Sequence, residues 1–247
     1  MTFLVILACT LAAICLLRRF IKRMPGAFYA CMAAFDIIYV AAAQGLLQRT
    51  IWVWSCTLMQ KGLLTLALFT IVMYIGVLPK ESLLARWLRP IRAELSIGAC
   101  ILCVAHLAAY LPAYVARALS GSMSASLAFA LGVALVLIVL LLVLGITSLT
   151  AVKKHIEAGV WKRVQLLAYP FFLLVYVHLL LMLTPSAIAG GIQAQTSIVV
   201  YSVLFGTYTI LRPLRAIVDR LPQTAKPDLQ ATGHMGEEEL LNCESMH

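Results

Sequence analysis

Charged residues are scarce in this chain, and acidic residues are the scarcest of them. Only 12% of the 247 residues are charged, and 10 Asp and Glu stand against 19 Lys and Arg. A soluble globular domain carries roughly a quarter charged residues, so this composition excludes one. With 63% hydrophobic residues, the chain is predicted to be all-α, a polytopic bundle of transmembrane helices.

Motifs for nucleotide binding are also missing. No G-x-G-x-x-G follows a strand-like pattern, and segment 212–247 after the last apolar run is too short for a nucleotide-binding domain. Any NAD(P)H or flavin chemistry is therefore expected to come from another protein. The Pro, Gln, Thr and Gly of this segment, followed by three Glu, predict a disordered cytoplasmic tail.

The seven cysteines do not form a disulfide framework, because most of them lie inside apolar runs. Cys100 and Cys103 form a C-x-x-C pair, but covalent haem attachment needs a His directly after the second Cys, and here Val104 follows it. The pair is therefore interpreted as ordinary apolar packing.

Apolar runs of about 20 residues, the length needed to cross the hydrocarbon core, set the predicted architecture. The sequence contains seven candidates: 2–17, 27–47, 57–78, 95–115, 125–147, 164–183 and 194–211.

Lys and Arg are concentrated in every second connection between these runs. They lie at 18–23, 80–92, 153–163 and 212–220. By the positive-inside rule, the N-terminus is predicted to be outside and the C-terminus cytoplasmic. No basic residue precedes the first run, which favours a retained span over a cleaved signal peptide. Because the basic residues follow membrane topology and no single basic face, nucleic acid is excluded as a partner.

Two histidines lie deep inside predicted spans. His106 is eleven residues beyond Leu95, roughly 16 Å along its helix, and His178 is fourteen beyond Val164, roughly 21 Å. Both spans run from inside to outside, so the two imidazoles are predicted to meet at one level. Bis-histidine ligation of a haem iron is the best-known use of this arrangement.

Other interpretations stay open for these polar groups. Each His could instead hydrogen-bond a neighbouring helix, or His106 could join Cys103 in a metal site without porphyrin. Asp36, near the middle of the second span, is a candidate proton acceptor or a carboxyl held by a neighbouring polar side chain. Tyr110 lies four residues from His106, on the same helical face, as a candidate haem neighbour.

Two long stretches carry a family resemblance. They are RPIRAELSIGACILCVAHLAAYL from Arg89 to Leu111 and LGITSLTAVKKHIEAGVWKRVQLLAYPFFLLVYVHLLL from Leu144 to Leu181. Together they resemble the ferric reductase-like transmembrane domain and, within it, are similar to the haem-binding membrane subunits of bacterial methionine sulfoxide reductase systems. The resemblance covers residues 57–211, and that segment is expected to be the haem-binding core. It implies a six-span domain formed by spans two to seven, with the first span additional, and residues 1–56 hold spans one and two.

The resemblance implies that His106 and His178 are the haem axial ligands and that Tyr169 is a second candidate haem neighbour. Members commonly have another His thirteen residues before the second ligand, where this chain has Gln165. One haem b is therefore expected, with Gln165 and Arg92 as a candidate inner site for a flavin or quinone.

The function expected from these features is electron transfer in the bacterial inner membrane. Electrons would come from quinol or a cytoplasmic flavin reductase and pass to an extracytoplasmic reductase or an external acceptor. The alternative is a haem-free seven-span transporter or sensor that uses Asp36 and the intramembrane histidines.

Overall fold

The computed structural model of the chain describes residues 2–219, and the regular structure in this range is helical throughout. The all-α prediction is thus confirmed. The predicted disordered tail lies outside the described residues from position 220 onward. The helices are α1 Thr2–Arg23, α2 Pro25–Ala43, α3 Arg49–Ser55, a π-helical turn Cys56–Gln60, α4 Leu63–Tyr74, α5 Leu83–Leu88, a 3-10 turn Arg89–Ile91, α6 Arg92–Leu119, α7 Ala125–Ser148, α8 Thr150–Lys153, α9 Ala158–Gln165, α10 Ala168–Ile188 and α11 Ile192–Val218.

Six helical stretches within residues 2–219 are long and apolar enough to cross a membrane. They contain α1, α2, α6, α7, α10 and α11, which correspond to six of the seven predicted spans. Many of their large apolar side chains are exposed, including Leu16 at 82% and Val139 at 60%. Side chains of this kind on membrane-length helices contact lipid, so the chain is a multi-pass membrane protein.

The third predicted span, 57–78, has a different form. A π-helical turn ends at Gln60, Gly62 adopts a left-handed φ of 63°, and α4 begins only at Leu63. The resulting helix has 12 residues, about 18 Å, which is shorter than the hydrocarbon core of about 30 Å. The left-handed conformation is one that glycine adopts without strain, so Gly62 permits the break.

Helix α4 forms the centre of the bundle. Every residue from Thr65 to Met73 is buried, and the helix packs against α1 and α6. Its buried residues contribute to two apolar clusters, one shared with α2, α6 and α7 and the other with α10 and α11. A helix that is apolar on all sides belongs inside a protein, so α4 is enclosed by the longer helices.

Glycines set the close approach of two helices to α6. A Cβ at Gly98 would lie 2.7 Å from the Phe28 ring of α2. A Cβ at Gly145 of α7 would lie 3.2 Å from Cys100 Sγ. Small residues at such crossings allow tight packing of helices in membranes. Cys100 is therefore a packing residue, as the sequence predicted.

Residues 1–212 form one compact unit, and its helices share two ends. At one end, the starts of α1, α4 and α11 and the end of α10 contribute Thr2, Leu63, Ile192 and Ser186 to one cavity. At the other, Arg212 of α11 lies against Gly76, just after α4, and Tyr169 at the start of α10. Helix α4 therefore runs between the same two ends as α10. The second unit, from Pro213, contains the Arg215–Asp219 ion pair at 3.0 Å.

Candidate functional site

A cavity of about 1200 Å³ opens among α1, α4, α6, α7, α10 and α11, and both predicted histidines line it. Pockets that hold small molecules usually measure about 300–1000 Å³, so this one accommodates a large ligand. The structure thus brings His106 of α6 and His178 of α10 to one cavity, as their matching depths predicted.

The break before α4 shapes the wall beside His106. Lys61, Gly62 and Leu63 all line the cavity, and a Cβ at Gly62 would lie only 3.4 Å from His106 Nδ1. The left-handed backbone is the reason for glycine here, and a Cβ at this position would be in ordinary van der Waals contact with the imidazole ring. The start of α4, with the partial positive charge of a helix N-terminus, faces the same cavity.

His178 has the arrangement of a ligand held by a neighbouring carbonyl. Its ring interacts with the backbone of Ala130 on α7, while its Nδ1 atom is buried without a hydrogen-bond partner. Histidines that bind metals generally use their other nitrogen to bond a carbonyl or carboxylate, which sets the orientation of the ring. The ring of His178 is therefore held by α7, and its Nδ1 atom, enclosed by protein atoms, has no hydrogen-bond partner in the described part of the chain.

Aromatic rings continue the face of α6 beyond His106. The ring centroids of His106 and Tyr110 lie 5.0 Å apart, and those of Tyr110 and Tyr114 lie 6.4 Å apart. Tyr114 Oη also approaches Met182 Sδ of α10 at 3.9 Å. All four side chains line the cavity. Tyr110 is thus where the sequence predicted it, next to the first histidine.

Apolar side chains form most of the surface between the two histidines. The lining includes Leu141 of α7 with Phe171, Val175 and Leu179 of α10. Phe171 packs on Phe69 of α4, which lines the same cavity, with ring centroids 5.2 Å apart. Such a surface suits the flat, largely apolar face of a porphyrin or another large ring ligand.

The set of donor atoms separates the metal alternatives. No three His, Cys, Asp or Glu side chains come together to hold a metal ion in the described range, residues 2–219. A structural zinc site usually needs four protein ligands. Haem iron takes four nitrogens from its own porphyrin and needs only two axial ligands from the protein. Two histidines across a large apolar cavity therefore fit a haem better than a bare metal ion.

Three other predicted site residues lie away from the cavity lining. Gln165 Nε2 donates a hydrogen bond to Thr147 Oγ1 at 3.3 Å, which links α9 to α7. Tyr169 Oη accepts a hydrogen bond from Arg212 at 2.6 Å, and Arg92 lies within electrostatic range of both. The structure thus groups Arg92 with Tyr169 and Arg212, and Gln165 has a helix-packing contact.

Asp36 also lies away from the cavity lining. It lies on α2 and approaches the backbone of Ala105 and the side chain of Cys103 on α6, one residue and three residues before His106. One of its carboxylate oxygens is buried without a hydrogen-bond partner. The carboxyl is therefore at the level of the cavity, but α6 separates it from the lining.

Sequence reasoning missed two features of this region. The sequence predicts one continuous span over 57–78 and so misses the break at Lys61 and Gly62, although a Lys-Gly pair inside an apolar run is a visible signal. Arg212 was assigned only to topology, because its contact with Tyr169 joins residues 43 positions apart. A contact of that separation leaves no local pattern in the sequence.

Comparison with known proteins gives one informative similarity. The chain is 34% identical over 214 residues to an uncharacterized protein of Treponema pallidum (strain Nichols). The match covers 84% of this chain and 58% of the relative, so the chain spans little more than half the length of that protein. No family model matches the chain, and no solved structure matches it.

Proposed function

We propose that this chain is a membrane electron-transfer subunit with one haem b, whose axial ligands are His106 and His178. The observation that carries the proposal is that these two residues, from separate helices, line one apolar cavity of about 1200 Å³. Haem, when bound, supplies a one-electron iron centre whose potential depends on its axial ligands, its burial and neighbouring hydrogen bonds.

The chain's own residues hold and enclose the group in this proposal. The Ala130 backbone orients His178, and Gly62 contacts the ring of His106. Tyr110 and Phe171 line the cavity and would pack beside the bound group, and the largely apolar lining would keep water from it. Exclusion of water and fixed ligands are the means by which a protein tunes such a centre.

The proposed topology has the N-terminus outside, the C-terminus in the cytoplasm and seven crossings, in a bacterial inner membrane. The distribution of Lys and Arg supports the orientation. The seventh crossing is the broken segment from Arg49 to Tyr74, and it is supported by the run of α4 between the same two ends of the bundle as α10. The cavity would then face the outer side.

Electrons would come from quinol or a cytoplasmic flavin reductase, and a flavin or quinone would receive them at the end of the bundle that contains Arg92. They would leave from the cavity end to an extracytoplasmic reductase or an external acceptor. The resemblance to ferric reductase-like membrane domains supports this direction.

A second candidate is a haem-free transporter or sensor, and the break before α4 favours it. Transporters often bind ligands where a helix is interrupted, because the helix N-terminus there attracts anionic groups. In this chain the start of α4 and Lys61 line the cavity beside His106. The ligand would be a small anion in that case, and Asp36 would handle protons.

A visible spectrum of the full chain, purified in mild detergent from cells supplied with haem precursor, distinguishes the two functions. The proposal expects a Soret band, with sharp α and β bands after reduction by dithionite. A folded protein that binds no porphyrin, even after addition of hemin, would contradict the haem assignment and favour the second candidate.

A further inference from the structure

Arginines meet at the end of the bundle opposite the cavity. Arg92, the first residue of α6, lies within electrostatic range of Arg89 and Arg212 as well as of Tyr169 and Tyr208. Arg212 donates to Tyr169 Oη at 2.6 Å, and its guanidinium carbon lies 5.3 Å from the centre of that ring. Three helical segments thus bring guanidinium groups within electrostatic range of one another.

These arginines have no counter-charge among the described residues. No carboxylate forms an ion pair with Arg89, Arg92 or Arg212 in the range 2–219. The nearest carboxyl along the chain, Glu94, lies on the side of α6 that faces Tyr29 of α2. Like charges at close range destabilise each other, so an arrangement of this kind favours an anion between them.

The chemistry of these groups suits a phosphate. Guanidinium groups bind phosphate oxygens through two parallel hydrogen bonds, and the N-terminus of α6 adds its partial positive charge beside Arg92. Arg89 and Arg92 are exposed, so a ligand can reach them, while Arg212 is half-buried and held by Tyr169. Tyr208, 6% exposed, forms the floor of the cluster.

We propose that Arg92, Arg212 and Tyr169 form a binding site for the phosphate group of an anionic ligand, separate from the histidine cavity. The site lies at one end of a bundle of membrane-length helices. Either a phospholipid headgroup or a soluble phosphate can supply the phosphate group there. The site does not depend on haem, because fourteen residues of α6, about 21 Å, separate Arg92 from His106.

The test uses the purified full chain in a neutral detergent. Dihexanoyl phosphatidylglycerol and inorganic phosphate are titrated separately, and the midpoint of thermal unfolding is measured, because a ligand that binds the native state raises it. A rise that depends on Arg92 and Arg212 with the lipid alone identifies a headgroup site. The same dependence with inorganic phosphate identifies a soluble ligand.

The variants are Arg92→Gln and Arg212→Gln, with Arg86→Gln as the matched control, since Arg86 is an exposed arginine of neighbouring α5. Each of the first two should weaken binding about tenfold, which is typical of a charged hydrogen bond, while the control should not change it. Equal binding by all three variants and the wild type would overturn the proposal.

Arg92→Gln decides the outcome if Arg212→Gln does not fold. The Arg92 guanidinium forms no hydrogen bond with the described part of the chain, so its replacement should leave the unliganded fold intact. Arg92→Lys should recover part of the affinity because it restores the charge without the two-pronged geometry.

Discussion

The arginine cluster around Arg92 lies at the start of α6 and the cavity around His106 lies beside its middle, and different interactions shape the two regions. The cavity is lined largely by apolar side chains, and His178 Nδ1 is buried there without a partner. In the cluster, Tyr169 and Arg212 hydrogen-bond each other directly. The volume and apolar lining of the cavity suit a large ligand, whereas the positive charge of the arginine cluster suits a small anion.

The two regions also depend differently on α4. Its broken start at Gly62 forms part of the cavity wall, whereas its far end approaches Arg212 through Gly76. Helix α4 therefore reaches both regions, with its first residues at the cavity and its far end near Arg212. Substitutions in the cavity, in the packing between the two ends of the bundle and at hydrogen bonds between helices should therefore differ clearly in their effects on the haem spectrum and on stability.

The largest effect is expected from His106→Ala and His178→Ala. Each removes one axial ligand, so each should abolish the six-coordinate haem spectrum of the purified protein. His155→Ala is the matched control, because His155 is exposed and its Nδ1 contacts only the Ala151 carbonyl, at 2.8 Å. A full six-coordinate spectrum in either of the first two variants would show that the ligand assignment is wrong.

A large loss of stability is expected from Phe172→Ala, because Phe172 is a buried residue of α10 in one of the two apolar clusters. Phe172 is 1% exposed and packs on Phe205 and Tyr208, with ring centroids 4.4 and 4.9 Å away. The cavity left behind should cost about 3–5 kcal/mol of unfolding free energy, measured by denaturation in mixed micelles. Phe129→Ala, at a site 62% exposed, should cost far less. Equal losses would mean that the core lies elsewhere.

A moderate effect is expected from Gly62→Ala. The added Cβ must adopt a φ of 63° and approach His106 Nδ1 at 3.4 Å, so unfolding free energy should fall by about 1–3 kcal/mol. The haem bands should also shift, because the strained backbone at position 62 is in contact with the imidazole ring. Gly132→Ala is the control, since no atom lies within 4 Å of its Cβ position. An unaltered spectrum and stability in Gly62→Ala would contradict the role given to the break.

The smallest effect is expected from Gln165→Ala. It removes the 3.3 Å hydrogen bond to Thr147, which is worth about 0.5–1.5 kcal/mol, and it should leave the haem spectrum unchanged. Gln195→Ala, which removes the 3.0 Å bond to the Ala187 carbonyl, provides a comparison at an exposed position. An altered haem spectrum in Gln165→Ala would instead show that the contact between α9 and α7 affects the cavity.

Much of this architecture could be predicted because membrane insertion leaves a strong pattern in a sequence. Long apolar runs specify the helices, and the similar depth of His106 and His178 in the sequence predicts that they share one cavity, which both residues line. The third span was harder to predict, because an apolar run looks the same whether it crosses lipid or is enclosed by other helices. Only the left-handed Gly62 distinguishes the two forms, and that conformation is a property of the folded backbone.

The inner region was the least predictable. Gln165 was paired with Arg92 because both were expected near one end of the bundle, but Trp161 Nε1 and Gln165 Nε2 both bond Thr147 and so bind α9 to α7. Arg92 is grouped with Arg212, which is 120 positions further along the chain. Side-chain direction at a helix end depends on how neighbouring helices are rotated, and hydropathy carries no information about rotation.

The sequence by itself determined the membrane class of this protein, its helical character and the position of its two histidines inside long apolar helices, because each follows from local composition. The tertiary structure decided the enclosure of α4, the cavity shared by His106 and His178 and the meeting of Arg92 with Tyr169 and Arg212. Those features arise from helix packing, which brings together residues that are distant in the chain.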